Sequence, residues 1–239
     1  MMEALSPANI GLLLFGIFFV LLLIGSPIMV ALGVATMACF IVLDIDLSLM
    51  IERAFASLTA FPLMALPAFV LAGSLMEAAG VSRRLVHVAE NIVGPTPGGL
   101  AISTTLSCVF FGAISGSGVA TASAIGGITI PAMKREGYPA TFAAAVASIS
   151  SILGPIIPPS ITLIVYASIT NVSVSKLFIG SVLPGIILAL SLAVYCLFFG
   201  KKNKLPAHEK MSGKQIATVF KNSIWALLMP VIILGGIFG

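Results

Sequence analysis

Two polar interruptions of apolar sequence hold the residues that could do chemistry. The first is Ser115-Gly116-Ser117-Gly118, set near the middle of an apolar stretch between Arg84 and Lys134. The only charged or imidazole side chains on the way are His87 and Glu90, both near its start. The second is Gly154-Pro155-Ile156-Ile157-Pro158-Pro159-Ser160, midway along the apolar stretch that follows Lys134, Arg135 and Glu136. Hydroxyls and backbone carbonyls are hard oxygen donors, the kind that sodium shares with the larger hard cations. Glycine lets the backbone turn its carbonyls inward. Each proline lacks an N–H, and Pro158 and Pro159 block helical bonds to upstream carbonyls. The pattern points to a cation held by neutral oxygens between half-helix ends, which add partial charges of either sign. Ser148, Ser150, Ser151, Thr162 and Ser168 form a hydroxyl-rich flank to the second break. A plainer reading stands beside this one: Gly112 and Gly116 make a G-x-x-x-G pair for close helix packing, and Ser103, Thr104, Thr105 and Ser107 read the same way.

The elements that position these breaks must be membrane helices. The chain of 239 residues is 59% hydrophobic and 8% charged, where a soluble domain carries roughly a quarter charged residues. Its mean hydropathy is +1.18. The apolar runs have helical length and lack the alternation of a barrel. An all-α polytopic membrane protein is expected. Lipid cannot satisfy exposed backbone N–H and C=O groups, so polar breaks survive only against protein or a watery cavity holding an ion or small solute. Transport is therefore the first functional hypothesis.

Other classes fall away. The net charge of +4 is sparse and confined to loops, so it argues for helix orientation and not for nucleic acid. No His/Cys/Asp/Glu group has metal-ligand spacing, so no transition metal is expected. Gly116-Ser117-Gly118-Val119 has no partnering His or carboxylate at membrane depth, which argues against an enzyme. No Lys follows the glycine-rich run as in a phosphate-binding loop, which argues against an ATP-driven pump and an organic cofactor. His87 and His208 lie among charged neighbours as surface histidines. Cys39, Cys108 and Cys196 read as small apolar residues. The N-terminus lacks a basic region and a cleavage site, so no removed signal peptide is expected.

Along the chain, Ile10–Leu43 reads as two short crossings joined at Gly25-Ser26-Pro27. An interfacial helix follows, with Leu47, Met50, Ile51, Ala54 and Leu58 at helical spacing. Phe61–Ala79 is the next crossing, with Pro62 and Pro67 in its first turns. Ser82–Val93 is an amphipathic arm whose apolar face is Val81, Leu85, Val88 and Ile92. Basic residues cluster at Arg83/Arg84, at Lys134/Arg135, and at Lys201, Lys202, Lys204, Lys210 and Lys214. With all three clusters cytoplasmic, Gly98–Met133 begins and ends on one side. Its arms of roughly 14 or 15 residues fall short of the ~20 needed to cross. A re-entrant helical hairpin is expected, with a pair of thin crossings as the competing reading. Ala140–Ile169 reads as one crossing unwound at Gly154–Pro159. Asn171–Phe178 is an outer connection, Gly180–Phe199 returns to the cytoplasm, and Ala217–Gly239 starts a further helix. The domains are 1–60, N-terminal crossings and interfacial helix as scaffold; 61–94, transmembrane helix and arm; 95–135, re-entrant hairpin; 136–170, broken helix of the transport part; and 171–239, scaffold helices leading into a second repeat.

These residues carry a family resemblance. Gly112-Ala-Ile-Ser-Gly-Ser-Gly-Val-Ala, then Ala124-Ile-Gly-Gly-Ile-Thr-Ile-Pro-Ala-Met-Lys-Arg-Glu-Gly-Tyr138, then Gly154-Pro-Ile-Ile-Pro-Pro-Ser160 resemble the large membrane subunit (DctM-like) of tripartite ATP-independent periplasmic (TRAP) transporters. The resemblance runs along essentially the whole chain. It implies an inverted-repeat, elevator-type secondary transporter that uses a sodium gradient to import small organic anions: C4-dicarboxylates, sialic acid or related carboxylates. It implies a small membrane subunit (DctQ-like) and a periplasmic substrate-binding protein (DctP-like) as partners, in the bacterial inner membrane. By the same resemblance, Ser115, Gly116 and Ser117 help form a sodium site, with backbone carbonyls from Gly154, Ile157 and Pro159. Ser117, Gly118, Thr121 and Ser160 become candidate substrate contacts.

One departure stands out. The family carries two inverted repeats, each with a hairpin and a proline-broken helix, and this sequence holds one of each. The expectation is a partial or truncated gene product. Two alternatives remain open: a non-transporting half that serves only in structure or assembly, and a different ion-coupled carboxylate transporter.

Overall fold

A computed structural model describes residues 6–59, 61–206 and 213–238. The described residues are helical throughout, without strands, and the chain divides into two compact units, Met1–Ala60 and Phe61–Gly239. His208 and Lys210 lie outside the described residues.

In the first unit, α1 (Pro7–Leu23) and α2 (Ile28–Val42) pack on each other. The chain reverses at Gly25, whose φ of +88° suits a residue without a Cβ. Pro27 then takes the N-cap position of α2. The buried residues of α2, Ala31, Ala35 and Cys39, recur every four positions as one helix stripe. At 17 and 15 residues, both helices are short for a ~30 Å hydrocarbon layer. The expected interfacial segment is α3 (Leu47–Leu58). It starts where Asp46 accepts a hydrogen bond from the Ser48 N–H at 2.8 Å. That backbone bond holds the Asp46 carboxyl below the usual carboxylate range.

The second unit is built on a helical hairpin. After α4 (Phe61–Ala78), Gly80 turns the chain with φ +75° into α5 (Val81–Val93). Then come α6 (Gly99–Ser115) and α7 (Gly118–Arg135), separated by two residues. The start of α6 (Leu100, Ala101, Ile102) shares an apolar cluster with Met133 at the end of α7, so the two arms run antiparallel. The arms are 17 and 18 residues long, longer than the sequence suggested, because helix continues up to Ser115 and on past Met133. The broken helix follows as α8 (Ala140–Ser150), a single turn α9 (Leu153–Ile156) and α10 (Ile161–Thr170), bent by 42°. The break is shorter than expected. Gly154 and Pro155 stay helical in α9, so of the expected break only Ile157–Ser160 is irregular, with a turn at Ser151–Ile152 ahead of it. A proline is tolerated early in a helix because its missing N–H has no intrahelical partner there.

Two long helices complete the unit, α11 (Val174–Lys202) and α12 (Gly213–Phe238). Both correct the sequence reading. The connection after α10 is only Asn171–Ser173, so Lys176 belongs to α11, and Lys214 belongs to α12. Among the described residues, α11 is the one helix long and apolar enough to cross a membrane by itself. Its outward side chains, among them Ile179, Leu183, Leu190 and Phe198, are exposed hydrophobics that suit lipid rather than water.

The amphipathic arm differs in face and in place. α5 buries Ser82, Leu85, Val86, Val88 and Ala89, while Ile92 is 48% exposed. The reason is that α5 packs on both α6 and α12, and so buries a broader face than a single neighbour would require. It runs back along α6, with Leu85 and Val86 clustered with Phe111 and Ile114, and Val93 beside the cluster at the hairpin's base. Arg83 and Arg84 therefore stand toward the tip end of the hairpin and do not flank its base. The base is basic for another reason: Lys134 and Arg135 end α7, and Lys201 and Lys202 end α11.

The end of α11 is pinned there by glycines. A Cβ on Gly200 would stand 2.5 Å from the Gly98 nitrogen, and one on Gly98 would stand 2.7 Å from the Cys196 carbonyl oxygen. Beside them, Phe142 of α8 stacks on Phe199 with ring centroids 3.7 Å apart. Gly200→Ala is expected to destabilise the protein by about 1–3 kcal/mol through overpacking. Gly127→Ala, which meets nothing within 4 Å, should be neutral or stabilising by up to about 1 kcal/mol. Thermal unfolding in detergent measures both.

Candidate functional site

The two sequence breaks meet. α6 ends where Gly116 adopts φ +60° and its N–H bonds the Gly112 carbonyl at 2.9 Å, a left-handed cap that glycine takes without strain. α7 then starts at Ser117, whose side chain accepts from the Ala120 N–H. The second break restarts in the same manner: Ser160 caps α10 by accepting from the Leu163 N–H. The two cap serines have nearly equal dihedrals, φ −124°, ψ 124° and φ −120°, ψ 123°.

Glycines allow the breaks to interlock. The Ile161 N–H donates across to the Gly116 carbonyl at 3.3 Å. A Cβ on Gly116 would stand 2.5 Å from the Pro159 carbonyl oxygen, and one on Gly112 would stand 2.8 Å from the Gly154 Cα. A Cβ on Gly154 would meet the Ser117 carbonyl oxygen and the Thr121 Oγ1, both at 2.8 Å. Gly112 and Gly116 thus serve close packing, as G-x-x-x-G pairs do, and their packing partner is the broken helix itself.

Oxygen atoms gather at this junction. Ser115, 5% exposed, holds its Oγ 3.3 Å from Thr121 Oγ1 and 3.5 Å from the Ser117 carbonyl. Thr121 Oγ1 donates to the same carbonyl at 2.7 Å. Among the described residues, no donor bonds the carbonyls of Ile157, Pro158 or Pro159. The candidate residues divide by what already occupies their polar atoms. The Gly116 carbonyl is taken by Ile161, and the Ser160 hydroxyl donates to the Pro155 carbonyl. Thr121 and Ser160 are fully buried. Gly118 opens α7 beside the Pro155 ring, and the Ile157 side chain lies against Gly185 of α11.

The expected hydroxyl flank does not form one cluster. Ser151 bonds its own helix at Ser148, Ser168 bonds Val165, and Thr162 is exposed. Ser150 instead joins Thr105 of α6 at 2.9 Å, fastening α8 to the hairpin. Ser103, Thr104 and Ser107 bond carbonyls one turn back, as packing residues do. No group of three or more His, Cys, Asp or Glu side chains could hold a metal among the described residues.

Sequence reasoning missed two residues here. Gly73 of α4 brings its backbone against Ser115, with a Cβ position 3.6 Å from the Ser115 Cα. One turn further on, Glu77 lines a small hollow of about 120 Å³ together with Ser74, Ser115, Ser117, Ala120 and Ile161. The helical stagger from Gly73 to Glu77 was legible; that α4 abuts the hairpin tip was not.

This arrangement defines a class: an all-helical chain with a polar backbone junction inside an apolar bundle. The chain belongs to the family described as tripartite ATP-independent periplasmic transporter, DctM component, which matches residues 15–239. That is a transporter family and not an enzyme family. The chain is 40% identical over 228 residues to the isethionate TRAP transporter permease protein DctMQ of Oleidesulfovibrio alaskensis, covering 95% of this chain and 36% of that protein. It is 44% identical over 178 residues to the C4-dicarboxylate TRAP transporter large permease protein DctM of Pseudomonas aeruginosa, covering 74% of this chain and 42% of the relative. The corresponding DctM of Vibrio cholerae is 38% identical over 232 residues, covering 95% and 51%. The chain spans about half the length, or less, of these curated relatives.

Gly116→Ala is expected to cost about 1–2 kcal/mol for the left-handed backbone alone, with the Pro159 clash in addition. Gly118→Ala, whose nearest neighbours are a Pro155 ring carbon and the Ser151 carbonyl oxygen, both at 3.3 Å, and whose φ is not positive, should cost less. The ranking is checked by comparing melting temperatures of the two variants in detergent.

Proposed function

We propose that this chain contributes one hairpin and one broken helix to the membrane permease of a sodium-coupled, binding-protein-dependent secondary transporter. It imports small organic anions of the carboxylate class by an elevator mechanism, with the second, inverted repeat supplied by sequence beyond this chain. The observation that carries the reading is the interlocked junction of the two breaks: neutral hard oxygens gathered where backbone leaves its helices.

The donor set suits the ion. Ser115 Oγ, Thr121 Oγ1 and the carbonyls of Ser117, Ile157 and Pro159 are neutral oxygens without a soft ligand among them. Of the earlier candidates, Ser115, Ser117, Ile157 and Pro159 are proposed as oxygen donors, and Gly116 and Gly154, first expected to help form the site directly, as the residues that permit the approach. The sodium ion is a co-transported substrate here. Its binding would draw the two breaks together, so that loading and the shape of the substrate pocket are linked. Ser117 and Gly118 are the proposed substrate contacts nearest open space, beside the exposed Val119; Thr121 and Ser160 act behind them.

The geometry also supports a depth. Ile157 lies against Gly185 and Gly98 against Gly200, so roughly 15 residues of α11, about 22 Å of helix, separate the break from the hairpin's base. That distance lies within a ~30 Å hydrocarbon layer. Lys134, Arg135, Lys201 and Lys202 gather at the base, which by the positive-inside rule is cytoplasmic in a bacterial inner membrane. The DctMQ name of one relative fits a small membrane subunit as partner, and a periplasmic binding protein completes the tripartite arrangement.

Reconstitution of the full-length permease with its small subunit and binding protein tests the reading. Carboxylate uptake should require an inward sodium gradient, and uptake indifferent to sodium sinks it. A cysteine at Ser117 separates the ion site from a purely structural or assembly role. Sodium should slow its labelling from water, and equal rates in sodium and choline would favour the structural role.

A further inference from the structure

Two neighbouring hollows lie where the end of α4 and the start of α5 face the hairpin tip and α7. The inner one, about 120 Å³, is lined by Ser74 and Glu77 of α4, by Ser115 and Ser117 of the hairpin tip, and by apolar residues around them. The outer one, about 390 Å³, is lined by Glu77, Ser82 and Arg83 on one side and by Ser123 and Gly127 of α7 on the other. Among the described residues, Glu77 is the single lining residue they share. The α7 residues that line them, Ala120, Ser123, Ala124 and Gly127, keep the spacing of one helix face.

The position of that carboxylate is unusual. Gly73 packs on Ser115, so Glu77 stands one helical turn from that contact, exposed near the C-terminal end of a helix whose other polar side chain is Ser74. An acidic side chain so placed is costly unless it faces water or a cation. Three hydroxyls share the inner hollow with it, and no Lys, Arg or His lines that hollow among the described residues. Arg83 lies only in the outer hollow, across the Gly80 turn, and makes no ion pair with Glu77 within 4.0 Å. The inner volume suits a cation with a few waters, each filling about 30 Å³ of liquid.

We propose that Glu77, with Ser74, forms a loading site for a partly hydrated monovalent cation, from which the ion passes to the Ser115–Ser117 junction. The outer hollow is its aqueous approach. The negative charge draws the cation in, and the neutral oxygens at the tip complete its dehydration. The site rests on the sodium reading of the junction, extending it outward by one step.

The test is a sodium titration of thermal unfolding for the purified full-length permease, with choline chloride holding ionic strength constant. Glu77→Gln should raise the half-stabilising sodium concentration about tenfold, since ligand charge sets cation affinity over decades. Glu77→Asp should lie much closer to wild type, and the sodium-free melting temperature of both should be unchanged. Ser74→Ala, which probes the same hollow without removing charge, should give a smaller shift in the same direction. A wild-type protein that sodium does not stabilise overturns the junction reading and this site with it. A stabilised wild type whose midpoint is unmoved in Glu77→Gln overturns the loading site alone. An equal loss of sodium response in Glu77→Gln and Glu77→Asp, together with a lowered sodium-free melting temperature, makes Glu77 structural and also overturns it.

Discussion

Backbone against backbone is the contact on which the second unit depends. Gly116 reaches Pro159 and Ile161, Gly112 reaches Gly154, and Gly154 reaches Ser117 and Thr121. Helix ends leave N–H and C=O groups unsatisfied, and lipid offers them nothing. These needs are met in part, across the junction by the Ile161-to-Gly116 bond and within each break by the serine caps at Ser117 and Ser160. Among the described residues, the carbonyls at Ile157 to Pro159 remain unanswered, and it is these that the proposed cation would satisfy.

The surrounding helices hold that junction from three directions. α4 leans on the tip through Gly73, α11 supports the break through Gly185, and α5 lies along the hairpin's flank. Hydroxyls fasten the layers where side chains are small, with the Thr105–Ser150 pair tying α8 to α6. Elsewhere the interface is apolar, through Phe111, Ile114, Ile125 and Leu153. The polar atoms inside the unit are mostly consumed locally, so the carbonyls of Ile157 to Pro159, which no donor bonds among the described residues, are exceptional in their setting.

Much of this was legible in the residues. Gly116 and the Pro158-Pro159 pair announce breaks because they remove what a helix needs, a Cβ-compatible backbone in one case and N–H donors in the other. The helical spans followed from apolar length, and the breaks from punctuation. What was illegible depended on neighbours. Pro155 stays helical because it falls in the first turn of α9, and a proline's effect depends on where the turn begins. Ile92 is exposed because α12 sets which face of α5 is buried. Arg83 and Arg84 read as a flank of the hairpin's base because charge counts carry no information on the direction in which α5 runs. Glu77 gained its meaning only from Gly73 meeting Ser115. The family was readable from the paired motifs because they encode backbone geometry, which few sequences at that spacing satisfy.

α11 has a consequence of its own. It touches the break at Gly185 and the hairpin's base at Gly200, both times through a glycine with no side chain to yield. A helix is stiff along its axis, so these two contacts fix the distance between the ends of the hairpin assembly as a strut fixes two joints. Tip and base cannot slide past one another without breaking one glycine contact. Any large displacement of the junction that keeps both contacts must carry the hairpin, the broken helix and α11 together.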